Sequence, residues 1–199
     1  MANVDAPFVF RPVRTLGGVY TGAVNMHLIA DNLNVANGNS GIFTGDIVIP
    51  VAGGGIDGVG AAPTADMLGV FNGCEYTDPT SGKYTYSAYY PDTTNITVGL
   101  IQAWVVDDPM VVFECQSDGI FVDANINRNF TLVVTDGNTN DGQSKFELDH
   151  SEGATTSTDP IKAIGRSTDE ANTDVSVANG NVCVIINNHT YKSVGTVGI

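Results

Sequence analysis

Residues 68–91, from Leu68 to Pro91, read LGVFNGCEYTDPTSGKYTYSAYYP and hold five of the chain's seven tyrosines. Tyrosine and β-branched residues suit a pleated, half-buried surface, while Asn72-Gly73, Asp78-Pro79 and Ser81-Gly82 turn the chain. The segment therefore reads as strand, long turn, strand. Two uses fit so tyrosine-dense a hairpin. It is either an aromatic patch of β core or a rigid amphipathic surface for a protein partner, presented by Tyr84, Tyr86, Tyr89 and Tyr90.

The same pattern extends outward. Helical periodicity is nearly absent, and 23 glycines interrupt the chain. The apolar runs are short: Ile47–Val51, Val98–Val106, Met110–Cys115, Phe130–Thr135 and Val182–Asn187. In the third, Val111, Phe113 and Cys115 share one face, and Val112, Glu114 and Gln116 share the other. Such alternation between turn dipeptides predicts antiparallel strands. Val98–Val106 and Met110–Cys115, joined by the corner Asp107-Asp108-Pro109, read as a hairpin. Asp123–Arg128 and Thr168–Ala171 read as single helical turns. Asp31–Gly41 and Val51–Ala65, rich in Gly, Asn and Ala, read as surface loops. No internal repeat marks a solenoid or propeller.

The first fourteen residues differ from the rest. Pro7 and Pro12 block a helix and favour an extended arm. It carries Phe8 and Phe10, with Arg11 and Arg14 supplying two of the eight bases. Two readings of this arm are open: a contact element that fills a partner's groove or sheet edge, or a terminal strand packed on its own domain. The expected architecture is all-β, an antiparallel jelly-roll-like sandwich or a small β-barrel. Residues 1–18 form the extended N-terminal arm, and residues 19–199 a single β domain with long Gly/Asn-rich loops.

The formal charge is −14, from 22 acids against 8 bases. That balance opposes phosphate backbones and anionic lipid, so neither nucleic acid nor membrane is expected as a partner. It favours a positive protein surface. No stretch is long and apolar enough to span a bilayer, and MANVDAPFVFRPVR lacks the organisation of a secretory signal. Cys74, Cys115 and Cys183 stand far apart in apolar patterns and read as reduced, mostly buried thiols.

Catalytic patterns do not assemble. Asp149-His150-Ser151 places triad residue types side by side, where strand neighbours diverge. Asp136–Glu147 has oxygen side chains at positions 1, 3, 5 and 12 of a calcium loop, but its glycine, Gly142, is one place late. A turn-rich hairpin loop explains it more simply. The three histidines share no metal-ligand spacing, and Gly53-Gly54-Gly55 lacks the Lys-Ser/Thr of a phosphate loop. No cofactor is expected.

The opening MANVDAPFVFRPVR resembles that of a family of small virion proteins of tailed phages, which begin Met-Ala-Asn-Val-Asp-Ala-Pro-Phe-x-Phe-Arg-Pro-Val-Arg. The resemblance continues through GVFNGCEYTDPTSGKYTYSAYYP, Asp107–Glu114 and IINNHTYKS at Ile185–Ser193. It implies a capsid decoration, or cement, protein: not an enzyme, but a structural component made in the bacterial host cytoplasm and carried on the capsid exterior. The major capsid protein and copies of the chain itself, as a dimer or trimer, are the implied partners. A contact role for Pro7–Arg14 follows, and no catalytic residue comes with the family. The alternative is a carbohydrate- or receptor-binding β-module that uses Trp104 and the tyrosines as a sugar platform. Trp104 lies inside an apolar run, which predicts core.

Overall fold

The computed structural model describes residues 3–29, 41–60, 66–91, 101–168 and 170–192. The expected loop at residues 31–40 lies outside them, as do residues 61–65, residues 98–100 and residue 169 of the expected turn at Thr168–Ala171. The chain runs through β1 (Arg11–Thr15), β2 (Asn25–Ile29), β3 (Gly41–Phe43), β4 (Ile47–Val51) and β5 (Gly55–Gly58). There follow β6 (Gly69–Thr77), β7 (Tyr84–Ser87), β8 (Tyr89–Pro91), β9 (Gln102–Val106) and β10 (Val111–Gln116). Last come β11 (Asn129–Phe130), β12 (Leu132–Val133), β13 (Glu147–Leu148), β14 (Ile161–Arg166) and β15 (Asn181–Ile186). Among the described residues the helical elements are two single 3₁₀ turns, Asp123–Asn125 and His150–Glu152. The all-β reading holds.

Five strands close on themselves. β4 pairs with β5 and β6, β6 with β9 and β9 with β2, all antiparallel, and β2 completes the circuit with β5 in parallel. Closure removes sheet edges. β7 extends the wall as the second arm of the Leu68–Pro91 hairpin, in register Glu75↔Tyr86 and Thr77↔Tyr84. The barrel interior is filled by Ile29, Val48, Ile56, Phe71, Ala103 and Val105, and plugged by Ile42 and Tyr90 from the β3–β8 ribbon. A second, antiparallel sheet in the order β1-β10-β15-β14-β11 packs over one side of the barrel. Val111, Phe113, Cys115, Val182, Val184 and Ile161 meet Ile47, Val70 and Val106 of the outer barrel wall there. Alternation explains the assignment: on β9, Ala103 and Val105 point inward while Val106 points to the second core.

Two expectations are corrected, and the arm takes one of its two readings. β9 and β10 do not form a hairpin; Asp107-Asp108-Pro109 carries the chain from barrel to sheet. The cause is Asp107, buried at the barrel mouth, where its carboxylate accepts hydrogen bonds from Asn25 Nδ2 (2.8 Å) and Tyr191 Oη (3.4 Å) and pairs with His27 Nε2 (2.9 Å). Val51–Ala65 is not a surface loop throughout. Gly53 and Gly54, at φ 104° and 86°, make a tight turn into β5, where Ile56 is buried. Glycine is required there because other residues resist positive φ.

The arm takes the second of its two readings. β1 pairs with β10, so the arm supplies an edge strand of its own domain. The polar face of β10 requires this. Gln116 is fully buried; its Nε2 donates to Val4 O (3.0 Å) and its Oε1 accepts from Ala6 N (3.0 Å). Asn3 Nδ2 donates to Asp174 O and Ala178 O, both at 2.9 Å. The alternation in Val111–Gln116 is real, yet both faces are buried, one by core and one by the arm.

Asp46 sits at the barrel seam, 2 % exposed, and accepts from Phe43 N (2.7 Å). Burial, reinforced by Asp136, pushes its carboxyl up to about 7, against relief from Ser144 and the Phe43 amide. The folded state therefore binds a proton more tightly than the unfolded chain, and stability falls as pH rises from about 4 to about 7. His189 works in the opposite sense, since burial pushes it down to about 4 and costs stability as pH drops below its ordinary 6.5. Asp46→Asn leaves the His189 effect unchanged and isolates the carboxylate. We expect the variant to gain on the wild type from pH 5 to pH 8, reaching a few kcal/mol on the order of that shift. Urea melts at both pH values check it; an equal difference at each would refute the assignment.

Candidate docking surfaces

Strand register places Met26 opposite Trp104, Leu28 and Glu75 opposite Gln102, Tyr86 opposite Glu75, and Tyr84 opposite Thr77. Directly paired residues share a face, so these side chains form one outer wall across β2, β9, β6 and β7. The far end of that wall, at Val106 and Val70, goes under the second core. The near end is open. Met26 is 54 % exposed, Leu28 41 %, Tyr84 58 % and Tyr86 71 %, and Trp104 is half-buried. A bulge at Asn72 and Gly73 sets two residues against Trp104. The Tyr84 and Tyr86 rings meet edge to face at 5.4 Å. The Glu75 carboxylate, hydrogen-bonded to the Tyr84 hydroxyl, pushes that phenol up to about 12.

Trp104 is therefore not core, contrary to expectation. It alternates with the inward Ala103 and Val105 and shares its face with the polar Gln102. That parity was visible in the sequence and is the signal that could have found the wall. Met26 and Leu28 were missed because a five-residue strand offers too little alternation to read. The other two hairpin tyrosines serve the fold. Tyr90 is 4 % exposed and meets Tyr76 edge to face at 5.8 Å, and half-buried Tyr89 stacks on Phe43 at 5.2 Å.

The arm residues fall on the five-stranded sheet. Phe10 is 1 % exposed and belongs to the chain's own core, a correction to its reading as a contact residue. Arg11 pairs with Glu114, itself 2 % exposed, and its guanidinium stands over the Phe8 ring at 5.6 Å. Arg14 is exposed and lines a groove of about 430 Å³ with Glu114, Arg166, Ser167, Thr168 and Cys183. Lys162, opposite Ile185, lies farther along the same outer face. Arg166 meets Asp123 at 3.0 Å. Among the described residues Arg14 and Lys162 have no carboxylate in ion-pair reach.

The motifs weighed as chemistry have local roles. Asp149 Oδ1 accepts from Ser151 N (3.0 Å) and Ser151 Oγ (2.6 Å), and His150 N donates to Asp118 Oδ1 (2.7 Å). In Asp136–Glu147, Asp141 accepts from Asn138 Nδ2 (2.9 Å) and Gln143 N (3.0 Å), while Glu147 lies on β13. Among the described residues no three His, Cys, Asp or Glu side chains are grouped to hold a metal. Cys74 and Cys115 are buried and Cys183 half-buried, all as free thiols, and burial raises each. The Asp107 cluster has the residue types of a proton relay. Its carboxylate, however, is fully engaged by its neighbours, and it ties residues near Tyr191 to the barrel mouth.

No family model, curated protein or solved structure matches the chain.

Proposed function

We propose that the chain is a structural virion protein that binds the outer surface of a phage capsid and stabilises the shell, with the major capsid protein as partner. The observation that carries this reading is the open barrel wall of Met26, Leu28, Trp104, Tyr84 and Tyr86. Soluble proteins rarely leave so many large apolar and aromatic side chains together in water without a partner, and Trp and Tyr dominate the binding energy of protein interfaces. The wall also carries a carboxylate, Glu75, bonded to the Tyr84 hydroxyl. Aromatic rings beside a carboxylate suit a cationic docking surface, where Arg and Lys engage ring faces and carboxylates together. The resemblance of MANVDAPFVFRPVR to phage virion proteins supplies the kind of partner.

Tyr86 is the clean probe because its side chain is largely exposed. Tyr86→Ala and Trp104→Ala are each expected to weaken binding to empty shells by about tenfold or more, at ~1.4 kcal/mol per tenfold. The Tyr86→Ala melt should be unchanged. Cosedimentation with shells measures it, and undiminished decoration by both variants would remove the wall from the function. The exposure of Trp104 beside Gln102 also favours a second reading, a carbohydrate- or receptor-binding β-module. Glycan binding that is lost in Trp104→Ala, without shell binding by the wild type, would select it.

A further inference from the structure

We infer that the groove on the outer face of the five-stranded sheet is a binding site for a sugar acid, a polyhydroxylated ligand with one carboxylate. Strand pairing builds its floor. Arg11, Glu114, Cys183 and Gly165 stand side by side on β1, β10, β15 and β14, so they share that face. Glu114, Cys183 and Gly165 line the groove, whose volume of about 430 Å³ falls in the ~300–1,000 Å³ range of small-molecule sites. Gly165 leaves the hollow: a Cβ there would meet no atom within 4 Å. Arg14 and Thr168, both exposed, complete the lining.

Glu114 sets the chemistry. It is 2 % exposed, and its two oxygens differ: Oε2 holds Arg11, whereas Oε1 has no hydrogen-bond partner. Buried acceptors in folded proteins are almost always satisfied, so an orphan at a groove floor marks a place for a ligand's donor. That donor is a neutral hydroxyl rather than an ammonium, because Arg11 already balances the Glu114 charge. Arg14 then leaves the groove net positive, and its guanidinium can take a carboxylate in fork geometry. Cys183 lies near both groups. After burial itself, Glu114 raises its thiol and Arg14 lowers it. Arg166 does not enter the count, since it shares a face with Val182 and turns to Asp123. A hydroxyl and a carboxylate on one sugar ring satisfy Glu114 and Arg14 together.

The site lies on a different sheet from the barrel wall, and its test uses no capsid, so it stands or fails apart from the proposed function. Glucuronate is the probe; glucose lacks its carboxylate and acetate its hydroxyls. In NMR titrations of the full chain, glucuronate should give saturable shifts at β1, β14 and β15. It should bind about tenfold or more tighter than either control, the worth of one charge-assisted hydrogen bond. It should also slow maleimide labelling of Cys183, which is half-buried in the groove. Gly165→Val puts a strand-favouring side chain into the open hollow and should abolish both effects with an unchanged melt. Arg14→Gln, at an exposed position, should weaken glucuronate about tenfold and leave glucose unaffected. Trp104→Ala should bind glucuronate like wild type. A uronic-acid oligomer that binds more tightly than the monomer identifies a polysaccharide as the source, and equal binding identifies the free sugar acid. The inference is overturned if glucuronate gives no saturable response, or if glucose or acetate binds as well. Undiminished binding by Gly165→Val overturns it too.

Discussion

Removing residues 1–14 is expected to leave a chain that does not fold. The deletion takes away most of β1 and Phe10, which fills the core between barrel and sheet. A buried phenylalanine typically contributes ~3–5 kcal/mol against truncation to alanine. It also removes Arg11 from Glu114, whose side chain is 3 % exposed, and stripping one partner from a buried pair costs ~3–5 kcal/mol. Gln116 loses Val4 and Ala6 as partners as well. Together these losses match the ~5–15 kcal/mol that holds a typical domain. Phe10→Ala alone should stay folded but melt lower by on the order of 10 °C, at ~2–4 °C per kcal/mol. A truncated chain with a cooperative, near-wild-type melt would show that the arm is dispensable to the fold.

Gly45→Ala is expected to be nearly as damaging, although it adds one carbon. Gly45 has φ +92°, and a Cβ there would lie 2.2 Å from Val9 Cβ and 2.6 Å from Val9 Cα. Positive φ costs a non-glycine residue ~1–2 kcal/mol, and overpacking adds ~1–3 kcal/mol. Because one clashing atom is backbone, relief requires Val9 to lift, which also loosens the Phe10 N to Gly45 O bond. A melt lowered by on the order of 10 °C is expected. A fall below about 2 °C would show that the arm yields at no cost.

The sequence made the hairpin of β6 and β7 legible because turn dipeptides and tyrosines agree there. It made β10 legible because six residues alternate cleanly. It did not reveal that the polar half of β10 is buried, since only a distant segment, residues 3–8, covers it. The Asp107 corner was misread for a related reason. Local turn chemistry is the same whether the next strand returns to its neighbour or crosses to another sheet, and the deciding hydrogen bonds come from residues 25, 27 and 191. Half of the candidate site was visible in Tyr84 and Tyr86. Trp104 was legible only as a parity shared with Gln102, and joining it to Met26 and Leu28 depended on which strands lie side by side.

The barrel strands all fall between Asn25 and Val106, whereas the sheet around it takes β1 from one side of that stretch and β10 from the other. The barrel is thus an excursion between two strands that pair with each other. Its entry and exit are neighbours, because Asn25 pairs with Val105. A barrel that has already folded therefore brings β1 and β10 within reach and lowers the loop-closure entropy of joining them. Asn3, by contrast, waits for Asp174, 171 residues away. During synthesis Asn3 emerges long before Asp174, so it is placed late, a high-contact-order step that belongs on the slow side of folding.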